Sequence, residues 1–133
     1  MKEVKITNRE IIKIVNGIQA MQQREEKDAA KVFGNRVKIN YAVRKNKEYL
    51  LRLIKPYEEE RAELQGKYKT ADGEEIRKDC IKNWNDEITQ LLDIEIEAKI
   101  YTIPFSEIEG LELSMNDLEA IDFMVEPPED FGK

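Results

Sequence analysis

The sequence predicts a mainly α protein with a small β element, and three observations predict it. Apolar residues recur at helical spacing along most of the 133 residues. Between 94 and 101 the period changes to strict alternation, the mark of a half-buried strand. A short Asp72-Gly73 turn joins the two longest helical patterns, which should therefore fold back on each other. The expected architecture is an antiparallel helical hairpin (35–68 with 74–92) packed with a helix at 8–22 and a C-terminal helix at 115–125. A short two-stranded antiparallel sheet from 3–6 and 93–102 caps it. Residues 1–126 are expected to form one domain, with 127–133 an acidic, mobile tail.

Glu3–Ile6 alternate polar and apolar and read as a strand. Thr7-Asn8-Arg9-Glu10 is a capping box, with Thr7 as the N-cap and Glu10 at the third helical position. The helix it opens sets Ile11, Ile14, Val15, Ile18 and Met21 on one stripe, interrupted by Gly17. The polar run 22–28 reads as a connection. From Phe33 to Tyr68 the pattern is that of one long amphipathic helix, with Gly34 leaving its start between Asp28 and Asn35. Leu50, Ile54, Tyr57, Arg61, Leu64 and Tyr68 alternate spacings of four and three, a heptad-like seam. Traced backward it meets Lys47, Val43, Asn40, Arg36 and Phe33 and turns polar. The first half should then pack less deeply or through another face (Val37, Tyr41), and a continuous two-stranded coiled coil is not expected. Pro56 should kink the helix or mark a junction, since proline lacks the N–H donor and crowds the preceding turn.

Ile76, Cys80, Ile81, Trp84, Ile88, Leu91 and Leu92 give the returning helix a broad apolar face, with Trp84 as hairpin anchor. Ile94, Ile96, Ala98 and Ile100 then alternate with Glu95, Glu97, Lys99 and Tyr101, and Pro104 ends the strand. Phe105–Leu113 is turn-rich, with room for one helical turn. Ser114 is a good N-cap, with Asp117 three residues on, for a last helix using Met115, Leu118, Ile121, Phe123 and Met124. Glu126-Pro127-Pro128 stops it.

The charged fraction is 38% and the net charge −6, but the charge is unevenly spread. Residues 1–85 hold 20 Lys and Arg against 14 Asp and Glu, whereas residues 86–133 hold 2 against 14. Such asymmetry suits a charged partner or self-association, and equally suits neutralisation within the fold, which is the favoured reading. Cys80 is the one cysteine, so no intramolecular disulfide forms and a reducing compartment is expected. It lies on an apolar helix face and reads as core. MKEVKITNRE has no apolar segment of a signal peptide, and no run approaches the ~18 apolar residues of a membrane span.

Few residues suggest chemistry. There is no histidine, so Cys80 or a serine nucleophile would lack its usual base. Glu58-Glu59-Glu60 and Glu63 point around a helix rather than converging on a cation, and Asp72-Gly73-Glu74-Glu75 lacks the ligand spacing of a calcium loop. Asp86 with Glu87, or Asp93 with Glu95, would need a pocket that splits their pKa values to serve as acid and base. No cofactor, metal or catalytic residue is expected, and an enzyme is the least favoured class.

Two surfaces are candidates for interaction. Arg36, Lys38, Tyr41, Arg44, Lys45, Lys47 and Arg52, with Lys55 and Tyr49, form a basic stripe with interleaved aromatics that could hold phosphates and bases. The pI near 4.9 weighs against nucleic acid as its partner. Glu95, Glu97, Glu107 and Glu109 head an acidic region, 93–130, that could imitate a phosphate backbone.

Tyr41-Ala42-Val43-Arg44-Lys45-Asn46, Lys55-Pro56-Tyr57-Glu58-Glu59-Glu60-Arg61, Leu91-Leu92-Asp93-Ile94-Glu95-Ile96 and Ile121-Asp122-Phe123-Met124-Val125-Glu126, with Tyr68, the Asp72-Gly73 turn and Leu113-Ser114 between them, are the residues behind a family likeness. From about residue 30 onward the chain resembles a family of small proteins of unknown function from phages and prophages of Gram-positive bacteria. That resemblance implies an infected bacterial cytoplasm and supplies no catalytic residues. The leading expectation is a non-enzymatic phage protein acting by protein–protein interaction, in assembly or as an accessory factor, with self-association open. The alternatives are an inhibitor of a host defence or nucleic-acid enzyme acting through the acidic half, and a nucleic-acid binder using 36–55.

Overall fold

The structure, a computed structural model, describes residues 1–28 and 31–128. Strand β1 (Lys2–Thr7) runs directly into helix α1 (Asn8–Asp28). The capping box forms as the sequence requires. Thr7 Oγ1 accepts the Glu10 N–H at 3.2 Å, and the Glu10 carboxylate accepts the Thr7 N–H at 3.4 Å. α1 buries Ile11, Val15, Ile18 and Met21. It also runs through 22–28, where a connection was expected. Gln, Arg, Glu and Lys are good helix formers, and this turn has tertiary anchors. Gln22 accepts Lys47 Nζ at 2.6 Å, Arg24 pairs with Asp117, and Glu25 accepts the Val32 N–H at 2.9 Å. Polarity there reflects polar partners, not a loop.

Phe33 is buried in the turn that follows, and Gly34 adopts φ 57°, a left-handed conformation that a side chain would strain. Helix α2 (Val37–Tyr68) starts two residues later than the expected 35 and continues unbroken through Pro56. The expected junction is absent because Pro56 and Arg52 are both exposed, so water can serve the Arg52 carbonyl that loses its donor. The buried face of α2 is Ile39, Ala42, Val43, Asn46, Leu50, Ile54 and Tyr57. This reverses the expectation that the first half packs less deeply. Val37, 77% exposed, and Tyr41 point away from the core. Beyond Tyr57 the seam thins: Arg61 is exposed, Leu64 half-buried, and only Tyr68 buried.

The chain turns at 69–77, where the Thr70 N–H donates to the Glu75 carbonyl at 2.7 Å and the Arg77 N–H to the Tyr68 carbonyl at 2.8 Å. A 3₁₀ turn, Lys78–Cys80, leads into helix α3 (Ile81–Leu92). The antiparallel hairpin is present, with Arg77 beside Tyr68 and the Arg61 guanidinium 6.0 Å from the centre of the Trp84 ring. α3 begins at Ile81 instead of 74 because residues 74–77 complete the turn. Cys80 is buried, as its apolar spacing implied.

Strand β2 (Glu95–Ile100) pairs antiparallel with β1, Lys2 opposite Ile100 and Thr7 opposite Glu95. Ala98 and Ile100 enter the core, while Glu95, Glu97 and Lys99 form the wet face. The sheet thus spans slightly less than the expected 93–102. A second pairing went unanticipated: β3 (Ile103–Pro104) lies parallel to β4 (Val125–Glu126). Asn46 shapes the corner before β3. Its amide nitrogen donates to the Tyr101 carbonyl at 2.9 Å and its amide oxygen accepts the Tyr101 N–H at 2.9 Å. A buried side chain here plays the part of a neighbouring strand.

A 3₁₀ turn at Phe105–Glu107 supplies the one helical turn expected in that stretch. Helix α4 (Met115–Ile121) is capped by Ser114, whose Oγ accepts the Asp117 N–H at 3.1 Å. It is shorter than 115–125, giving way to a 3₁₀ turn (Asp122–Met124) so that the chain can enter β4. Ala120, Ile121 and Met124 face the core, whereas Met115 and Leu118, expected on the apolar stripe, are exposed. α4 lies against α1 at Gly17, where an ideal Cβ would sit 3.5 Å from that of Ala120. Of the expected tail, 129–133 lie outside the described residues. Glu126 is held by β4 and by the Thr102 hydroxyl, which donates to it at 2.6 Å.

Candidate interaction surfaces

The basic stripe lies on α2 around its buried face, and the fold engages most of it. Arg36 donates to the Glu107 carbonyl at 2.9 Å, and Lys38 pairs with the Glu107 carboxylate at 3.5 Å. Arg44 reaches Glu48 at 3.2 Å one turn on, and Lys47 is half-buried against Gln22. Lys45 has no carboxylate partner among the described residues and sits over the Tyr41 ring at 5.6 Å. Tyr41 in turn meets Tyr101 edge-on at 5.5 Å. Arg52 is exposed on the same half of the helix. The seven residues are therefore not one uniform cationic surface. They comprise two cations held by the acidic half, two held within the basic half, Tyr41 in an aromatic cluster with Lys45, and the exposed Arg52.

The acidic candidates separate in space as well. Glu95 and Glu97 share the wet face of β2, where Glu97 stands opposite Lys5 of β1. Glu107 belongs with the start of α2, through Arg36 and Lys38. Glu109 is exposed in the loop before α4. Arg9 pairs with Asp93 at 3.2 Å, Lys99 with Glu3 at 3.9 Å, and Arg24 with Asp117. Every one of these except Lys99–Glu3 joins a cation from residues 1–85 to an acid from 86–133, so part of the charge split is neutralised inside the fold. Exposed pairs of this kind contribute little to stability. Asp117 is buried, and its contact with Arg24 offsets the cost of burying a carboxylate.

A third surface was only half visible in the sequence. α3 is more amphipathic than α1 or α2, yet none of its residues is buried. Trp84, Ile88, Leu91 and Leu92 are half-buried, and Ile81 is 45% exposed. Beside them, Glu60, Leu64, Lys67, Glu87, Leu91 and Ile94 line a groove of about 410 Å³. Glu87 accepts the Tyr68 hydroxyl at 3.0 Å through one oxygen, while the other is buried without a hydrogen-bond partner among the described residues. The Tyr68 hydroxyl, and then its charge and that of Glu87, hold the Lys67 ammonium above its ordinary pKa. Spacing alone announced this apolar face but not that a single chain covers it only in part.

A larger groove, about 530 Å³, runs between α1 and α4 past Ile14, Gly17, Met21, Ala120 and Phe123, rimmed by Lys13, Arg24, Glu119 and Asp122. Among the described residues no group of three or more Cys, Asp or Glu side chains is placed to hold a metal ion, and no helix is long and apolar enough to cross a membrane. No family model, curated protein or solved structure matches this chain.

Proposed function

We propose that the protein is a non-enzymatic phage protein that works by protein–protein interaction, as an assembly or accessory factor in the cytoplasm of an infected bacterium. The phage setting rests on the family resemblance of the helix and strand motifs. The mode of action rests on α3, whose apolar face its own chain covers only in part: a helix with a strong apolar stripe is stable when that stripe is covered. A large aromatic at the centre, Trp84, with Ile81 and Ile88 beside it, has the composition of an interface anchor ringed by polar groups. The buried, unpaired oxygen of Glu87 adds a polar group that an incoming donor would satisfy.

The test is recovery of partners by C-terminally tagged protein from infected cells, at low and moderate salt, for wild type, Ile81→Asp and Trp84→Ala. The expected result is co-purification of phage structural proteins that survives moderate salt and is lost in both variants, their helical circular dichroism unchanged. Recovery of a host nuclease or defence protein, indifferent to Trp84 and lost when Glu95 and Glu97 are neutralised, would replace this reading with the inhibitor. Recovery of nucleic acid that falls steeply with salt and depends on Lys45 and Arg52 would replace it with the nucleic-acid binder.

A further inference from the structure

The two-stranded sheet has two edges, and α2 reaches only the β2 edge, at its Lys99 and Tyr101 end. In an antiparallel ladder, successive residues turn their N–H and C=O alternately toward the partner strand and away from it. Three sets of bonds fix the phase here. The Asn8 N–H continues the ladder to the Ile94 carbonyl at 3.2 Å. The Lys99 N–H turns away from β1 and reaches the Tyr49 hydroxyl at 3.1 Å. Tyr101 gives both its backbone groups to Asn46. Lys2, Val4 and Ile6 therefore face β2, and Glu3, Lys5 and Thr7 point their backbone groups outward. On the β2 side, Tyr49 and Asn46 of α2 occupy the end of the edge, at Lys99 and Tyr101. On the β1 side, Glu10 takes the Thr7 N–H, and nothing among the described residues bonds the outward groups of Glu3 or Lys5. Such an edge is a template for an added strand.

The charges along that edge select the strand. Laid antiparallel about Val4, a second copy of β1 sets its Lys5 against Glu3 and its Glu3 against Lys5. All four residues present outward backbone groups, so each pair can form reciprocal N–H to C=O bonds. On the solvent face the row across four strands would read Lys99, Glu3, then Lys5 and Glu97 of the second copy, opposite in sign at every step, because Glu3 already faces Lys99 and Lys5 faces Glu97. Sliding the copy by two residues either way sets Glu3 against Glu3 or Lys5 against Lys5. Of these three registers, only the one about Val4 is free of like charges, and it sets both charged pairs in bonded positions.

We propose that two copies of this chain pair edge to edge through β1, forming a symmetric four-stranded sheet ordered β2-β1-β1-β2. The interface is isologous, as a two-fold requires, and it is independent of the α3 surface.

The experiment is sedimentation velocity over a concentration series, with the C-terminally tagged chain, for wild type, Glu3→Lys, Lys5→Glu, and an equimolar mixture of the two variants. The wild type dimerises with rising concentration. Each variant alone sets like charges at both symmetric pairs and weakens the dimer about ten- to thirtyfold. In the mixture every pair across the new interface is again opposite in sign, and dimer returns. That recovery separates the interface from any effect inside the chain, since the like charge that each substitution sets against Lys99 or Glu97 of its own chain persists in the mixture. A chain that stays monomeric throughout, a dimer indifferent to both reversals, or a mixture that fails to recover each overturns the proposal. Trp84→Ala leaves the dimer unchanged.

Discussion

The two halves of α2 belong to one helix and share one spacing of apolar residues, yet they live in different surroundings. From Val37 to Tyr57 the helix lies against α1, the sheet corner and the 103–108 stretch, and a buried residue occurs on every turn from Ile39 onward. From Glu58 to Tyr68 it has α3 for company, and among its own residues only Tyr68 is buried. The lesson is that heptad-like spacing specifies which side of a helix faces a neighbour, not how many neighbours there are. The first half is enclosed from several directions. The second meets one helix, itself without a buried residue, so the same pattern yields a ribbon with an open flank.

That contrast can be broken most directly with matched substitutions of one residue type. Leu50→Ala empties a fully enclosed site and should lower unfolding stability by about 2–5 kcal/mol. Leu64→Ala, on the half-exposed stretch, should cost below about 1 kcal/mol. Urea unfolding of the two variants gives the comparison. Equal midpoint shifts would mean that the outer half is as enclosed as the inner one, and the distinction drawn from burial would fail.

Next in size is Asn46→Ala. It should cost about 2–3 kcal/mol, because the N–H and C=O of Tyr101 lose their partner together at a part-buried corner. A loss of only a few tenths, read by the same denaturation, would show that water replaces the amide. Asn46 also explains where sequence reading went astray. Counting back from Leu50 by three and then four gives Lys47 and Val43, and the seam turns polar. Counting by four, three and four gives Asn46, Val43 and Ile39, all buried. A polar residue at a core position disguised the phase, and the exposed Val37 and Tyr41 became the apparent face. Elements defined by local chemistry were legible: the Thr7 and Ser114 caps, the Asp72-Gly73 turn, and the alternation of β2. The β3–β4 pairing was not, since two residues per strand leave no period to detect, and Asn46 of α2 tethers both of their starts through Tyr101 and Met124.

The surfaces were legible by composition but not by grouping. Arg36 and Lys38 looked continuous with Arg44 and Lys47, yet Glu107, far along the chain, claims the first two while Glu48 and Gln22 hold the others. Long-range contacts decide which charges remain available, and a single sequence states none of them. The open flank of α3 was hidden for the same reason: an apolar face looks identical in sequence whether or not something covers it.

The smallest expected effect sharpens the boundary between the two regions. At the hairpin tip the Thr70 hydroxyl donates to Asp72, and the Glu74 N–H donates to the same carboxylate oxygen at 3.1 Å. The hydroxyl first, and the backbone N–H second, hold the Asp72 pKa below the ordinary 3.8. A depressed carboxylate stabilises the folded turn fully above the unfolded-state pKa, and that contribution fades as pH falls through the lower folded value. Acidification below pH 3.8 should therefore loosen the 70–75 turn first. The Glu74 amide resonance should move with the Asp72 titration, and its hydrogen exchange should rise, while the Ile39 and Leu50 amides stay protected. Asp72→Asn should remove that pH dependence at Glu74 and leave global stability nearly unchanged, since Asp72 is exposed. If core and tip amides lose protection at the same pH, the hairpin end and the inner half of α2 unfold as one unit, and the difference between them is one of burial alone rather than of local stability.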